Sequence, residues 1–213
     1  MAQELIEGEG PRTLLLAHGA GAPMDSPYMD LLAAGLAEQR IRVVRFEFEY
    51  MRKRREDGRK RPPPRAEKLE GEFSAVIDRH AGASGPVYIG GKSMGGRIAS
   101  VLASRADDRI AGCVCFGYPF HPPGKADRWR TAHFNDFTVP VLINQGTRDP
   151  FGRKDEVQAH LTGDGPVVIH WLDDGEHDFR PRKSTGTTQE DLIELAARQT
   201  AAWMDGRNGS GEV

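Results

Sequence analysis

Apolar residues in this chain fall into short unbroken runs, separated by longer stretches in which they recur every three or four positions. The runs Thr13–Ala17, Ile41–Phe48, Val87–Ile89, Ile110–Phe116, Val139–Asn144 and Val167–Leu172 are dominated by β-branched and aliphatic residues and predict six strands. Tyr28–Gln39, Leu69–His80, Met94–Ser104, Lys154–Leu161 and Thr188–Met204 carry helical spacing. Strand then helix, repeated, predicts a mostly parallel sheet, because parallel neighbours need a crossover long enough to hold a helix. Hydrophobicity within the strands is largely continuous rather than alternating, which requires both faces of the sheet to be covered. The expectation is an α/β fold, a three-layer α/β/α sandwich, with its chemistry in loops beyond the carboxyl ends of the strands.

Composition changes that picture little. With 213 residues, 38% hydrophobic and 28% charged, the chain suits one globular domain, read as residues 1–205, followed by a flexible tail at 206–213. A formal net charge of −2 gives no overall field to draw nucleic acid or an anionic membrane. No apolar run approaches the roughly 20 residues a bilayer span needs, and the first residues lack the basic and apolar regions of a signal peptide, so the protein is expected in the cytoplasm. Cys113 and Cys115 stand two apart on one run, hence on one strand face, and read as small buried hydrophobes rather than a redox or metal pair.

One segment departs from the average: residues 52–65 hold eight basic residues and two acidic ones. It reads either as a recognition loop for an acidic substrate or partner, or as a solvated connection stiffened by three prolines, and the second is the simpler.

The chemistry centres on Gly91-Lys92-Ser93-Met94-Gly95, a G-x-S-x-G motif that follows a strand and opens a helix. A serine on such a sharp turn projects its hydroxyl above the sheet, and the flanking glycines let the turn approach its neighbours. The Met94 N–H then lies at a helix N-terminus, where it suits a developing oxyanion. If Ser93 is a nucleophile it needs a carboxylate after a later strand and a histidine after the last one. Asp149 follows Val139–Asn144 in a turn-rich loop, and His177 follows Val167–Leu172, giving the order Ser93, Asp149, His177. Asp173, Asp174 and Asp178 flank the histidine but are too near in sequence to reach around its ring. His121 and His133 precede the aspartate strand and His170 lies within the last strand, so none fits the order of the triad. A second oxyanion donor is expected from Ala20 in the small-residue loop after the first strand, where His18 reads as a structural tie.

These residues make the chain resemble the α/β-hydrolase superfamily over nearly its whole length. More narrowly, Leu-Ala-His-Gly-Ala-Gly-Ala from position 16, the Gly-Gly-Lys-Ser-Met-Gly-Gly-Arg stretch, Gln-Gly-Thr-Arg-Asp-Pro-Phe-Gly from 145 and Glu-His-Asp-Phe-Arg-Pro from 176 resemble a subfamily of small hydrolases related to dienelactone hydrolases. Its animal relatives include a testis-expressed protein and a chromatin-complex subunit. The resemblance implies Ser93, Asp149 and His177 as a triad, where dienelactone hydrolases proper carry a cysteine nucleophile.

Only about twenty residues separate the strand ending near Phe116 from the next, too few for a several-helix cap. Tyr118, Phe120, His121 and Trp129 within them could either wall an open substrate pocket or simply pack that loop onto the domain. The expectation is a serine hydrolase of a small-molecule acyl substrate, using no cofactor and no metal. The alternatives are an interaction protein on the same fold, or a thioesterase or peptidase with the same triad.

Overall fold

The computed structural model describes residues 4–161 and 165–206. Of the tail expected at 206–213, all but Gly206 lies outside the described residues. The strands are β1 (Glu4–Glu7), β2 (Arg12–Ala17), β3 (Ile41–Phe46), β4 (Val87–Lys92), β5 (Gly112–Phe116), β6 (Val141–Gly146) and β7 (Val167–Leu172). They form one sheet in the order β1-β3-β2-β4-β5-β6-β7, parallel except for β1, which pairs antiparallel with β3. The helices are α1 (Pro27–Glu38), α2 (Glu49–Asp57), α3 (Ala66–His80), α4 (Met94–Ala103), α5 (Lys154–His160) and α6 (Gln189–Met204).

The continuous hydrophobicity of the strands resolves into two buried faces. Leu15, Ala17, Ile89, Cys113, Cys115 and Ile143 face one way and pack under Phe73 and Ile77 of α3 and Ile98 and Leu102 of α4. Their neighbours Leu14, Leu16, Val114, Phe116 and Leu142 face the other way, under Leu32 and Leu36 of α1 and Ile193 and Ala197 of α6. Alternate side chains of one strand thus serve two cores, so neither face has polar positions to spare.

Two elements differ from the sequence expectation. The sheet has seven strands rather than six, with β1 added at the edge. Residues 49–57 form α2, where a connection was expected, so the first half of the basic segment is helical. Lys53 pairs with Glu49 at 2.8 Å, Arg55 with Glu47 at 2.7 Å and with Asp25, and Arg61 with Asp57. Three of the eight basic residues of the segment are therefore paired within the chain.

Residues 117–140, between β5 and β6, contain a single 3-10 turn, Phe134–Asp136, and no cap domain. Among the described residues, no helix is long and apolar enough to cross a membrane. Cys113 and Cys115 are both fully buried with their Sγ atoms 3.9 Å apart, and burial pushes the Cys113 thiol well above its ordinary range. With both sulfurs out of reach of a reagent, neither cysteine is expected to react with a disulfide-exchange reagent in the native protein; titration in denaturant should then expose both, and fast native labelling would show the packing to be looser.

Candidate active site

Strand β4 enters a turn at Ser93 and leaves it as helix α4. Ser93 has φ 50° and ψ −113°, a conformation that costs an L-residue on the order of 1–3 kcal/mol and persists only where the surroundings enforce it. They do so by close approach. A Cβ on Gly91 would stand 2.7 Å from the Ala17 carbonyl oxygen, and one on Gly95 would stand 2.6 Å from that of His18. The missing side chains let the turn press against β2, and Ser93 is carried over the carboxyl end of the sheet.

The two loops that β6 and β7 deliver meet the serine there. His177 Nε2 lies 2.9 Å from Ser93 Oγ, and His177 Nδ1 lies 2.8 Å from Asp149 Oδ2. Asp149 is fully buried, and its carboxylate also accepts from Gln145 Nε2 at 2.9 Å and from the Phe151 N–H at 2.8 Å. Three donors on one carboxylate fix its plane. With Asp149 an acceptor, His177 carries its proton on Nδ1 and turns an acceptor Nε2 to the serine hydroxyl. Phe151 closes one side of the imidazole, its ring centroid 4.3 Å away.

Asp174, Asp178, His133 and His121 have other partners. Asp174 accepts from Arg182 Nε at 2.7 Å and lies 3.2 Å from Arg148, and Asp178 lies 3.2 Å from Lys92. His133 meets Ser100 Oγ at 2.8 Å, and burial lowers its pKa to about 4. His121 is buried with Nε2 3.4 Å from Glu156, and His170 lies within β7.

The loop after β2 runs beside the serine. A Cβ on Gly19 would lie 3.8 Å from Ser93 Cβ, which brings the Gly19–Ala20 peptide to the site. His18 is fully buried; its Nε2 accepts the Phe48 N–H at 3.2 Å, which leaves Nδ1 to donate to the Gly19 carbonyl at 2.7 Å. In a trans peptide C=O and N–H point opposite ways, so a carbonyl held by His18 turns the Ala20 N–H away from that ring. Burial lowers the His18 pKa and keeps the ring neutral, as this pair of bonds requires. Tyr50 of α2 donates to the Ala20 carbonyl at 3.0 Å and Arg54 to that of Gly21 at 2.9 Å, so two residues four apart on one helix brace the same loop. Met94, the first residue of α4, offers one of the first-turn N–H groups that a helix leaves without an internal acceptor.

The family model described as "Alpha/beta hydrolase domain" matches residues 10–205. The chain belongs to that family. Among solved structures, this α/β-hydrolase is similar to Est1E of Butyrivibrio proteoclasticus, with a TM-score of 0.71 at 13% identity over 96% of this chain and 93% of that one. The dienelactone hydrolase of Anabaena variabilis gives 0.70 at 17% identity, covering 95% and 89%. A Xanthomonas campestris protein described as an a/b serine hydrolase without lid gives 0.66 at 19%, covering 94% and 88%. At these identities the likenesses speak for the fold.

The expected pocket wall needs correction. Tyr118 and Phe120 are fully buried and His121 is 1% exposed, so these three present almost no surface to a ligand. Tyr118 donates to the Arg130 carbonyl at 2.8 Å and packs edge-on against Phe120, and Trp129 lies flat on His160 at 3.7 Å between centroids. Residues 117–121 are packed into the domain, while 123–128 are exposed and Trp129 is half-buried. Gln145 and Phe151 were not singled out from the sequence, although their place in the loop around Asp149 could have drawn attention: a polar side chain four residues before a buried carboxylate is a natural partner for it.

Proposed function

We propose that this α/β-hydrolase cleaves an ester or related acyl bond of a small molecule through an acyl-enzyme on Ser93. The observation that carries the reading is the unbroken relay from Asp149 through His177 to Ser93, with each step under 3 Å. Ser93 Oγ attacks the acyl carbonyl carbon as His177 Nε2 takes its proton, and the carbonyl π electrons move onto oxygen. The Ala20 and Met94 N–H groups are the donors for that oxyanion, and Asp149 offsets the charge on the imidazolium. His177 returns the proton to the leaving oxygen, and water then attacks the acyl-enzyme by the same route. The dienelactone-hydrolase likeness and the absence of a cap domain support a small, open-sited member of the family.

A fluorophosphonate probe tests this directly, because it reacts with serines activated in this way. Covalent attachment mapped to Ser93 by mass spectrometry, absent from Ser93→Ala, is the expected result. A folded wild-type protein that takes up no probe would overturn the hydrolase reading and turn attention to an interaction role on the same fold.

A further inference from the structure

Lys92 occupies the variable position before the serine, where the motif gives it no chemical task. Its side chain is only 7% exposed, a burial that lysine seldom accepts unless the ammonium is paired. Nζ donates to the backbone carbonyl of His177 at 2.8 Å, lies 3.2 Å from Asp178 Oδ1 and sits 5.3 Å from the centroid of the Tyr28 ring. Room for this comes from Gly117, just past β5, where a Cβ would stand 2.8 Å from the His177 carbonyl oxygen and 3.0 Å from Nζ. The residue next to the serine is therefore fastened to the loop that brings the histidine.

We propose that Lys92 is a positioning residue for His177, its ammonium holding the histidine loop to strand β4 through the His177 carbonyl and the Asp178 carboxylate. This rests on the hydrolase reading of Ser93 and His177. The loop needs such a tie, because Asp174 and Phe179 within it both have positive φ, at 55° and 64°, which non-glycine residues hold only under constraint. Burial lowers the Lys92 pKa, while Asp178, Asp149 and Glu176 act against that and favour the ammonium. Tyr28, from α1, adds the face of its ring.

The test compares wild type with Lys92→Met, which removes donor and charge, and Lys92→Gln, which retains a donor without charge. Rates of fluorophosphonate labelling are measured together with hydrogen exchange across residues 173–182. Lys92→Met is expected to label at least roughly tenfold more slowly, since small misplacements of a reacting group are costly. Its loop should also exchange faster. Lys92→Gln should recover most of the rate by returning a donor to the His177 carbonyl, a rescue that packing alone would not produce. A folded Lys92→Met with wild-type labelling rate and loop exchange overturns the proposal. Should that variant fail to fold, unchanged loop exchange in Lys92→Gln, which loses the ion pair with Asp178, does the same. If wild type takes no label, the hydrolase reading falls, and the clamp is then judged by hydrogen exchange, where an unchanged loop in either variant rejects it.

Discussion

Asp149→Asn is expected to lower kcat/KM for a short p-nitrophenyl ester by about ten-thousandfold, with most of the loss in kcat. The reason lies in the proton inventory around this buried side chain. All three of its neighbours, Nδ1 of His177, Nε2 of Gln145 and the Phe151 N–H, donate to it. An asparagine brings two donors of its own, so at least one contact becomes donor against donor. If the amide nitrogen takes the Oδ2 position, His177 must accept at Nδ1 and carry its proton on Nε2, facing Ser93 with a donor where a base is required. If the amide turns the other way it opposes the Phe151 N–H and loosens the loop. A buried polar mismatch of this kind also costs about 1–3 kcal/mol of stability. Steady-state kinetics with parallel denaturation curves would separate the two effects. Retention of more than a tenth of the wild-type rate would mean that the carboxylate does not set the tautomer.

How much of this was legible beforehand depended on whether the signal was local. The six apolar runs and five helical stretches were visible because burial on both faces leaves a continuous pattern, and Ser93, Asp149 and His177 followed from their places at the ends of those runs. Strand β1 left no such mark. Glu-Leu-Ile-Glu is four residues with two apolar positions, and it is a strand because β3 offers it an edge and Arg45 reaches across to Glu7. Helix α2 was missed for the opposite reason. Only Tyr50 and Met51 of its nine residues are buried, so it has no apolar stripe to read. Its supports are the Lys53–Glu49 pair, a Lys68–Glu49 pair at 2.5 Å from α3 and a left-handed Gly58 at its end, and the second depends on tertiary placement. Tyr118 and Phe120 misled because aromatic residues beside a site read alike whether they wall a pocket or fill a core; the Gln145 side chain, which accepts from the Tyr118 N–H at 2.7 Å, draws them inward.

Gly95→Ala should be among the most damaging substitutions available to this chain, although it adds one methyl group. Its Cβ would lie 2.6 Å from the His18 carbonyl oxygen, 2.7 Å from that of Ala17 and 2.8 Å from Ala17 Cβ. Two of these are backbone atoms of β2 and the loop after it, so no rotamer change relieves the clash. Either α4 moves off the sheet, taking the Met94 N–H from the position proposed for an oxyanion, or the Gly19–Ala20 peptide shifts from its bond with His18. A loss of roughly 3 kcal/mol is expected from overpacking at so rigid a contact, together with loss of fluorophosphonate labelling. Gly71→Ala supplies the comparison. Gly71 lies inside α3 with nothing within 4 Å of its would-be Cβ, so alanine there should raise stability by about 0.5–1 kcal/mol and leave labelling unchanged. Urea denaturation of the two variants reads both effects with one method. Equal midpoints would mean that the elbow yields at Gly95, and the strained serine would then owe its conformation to something other than the contact of the turn with β2.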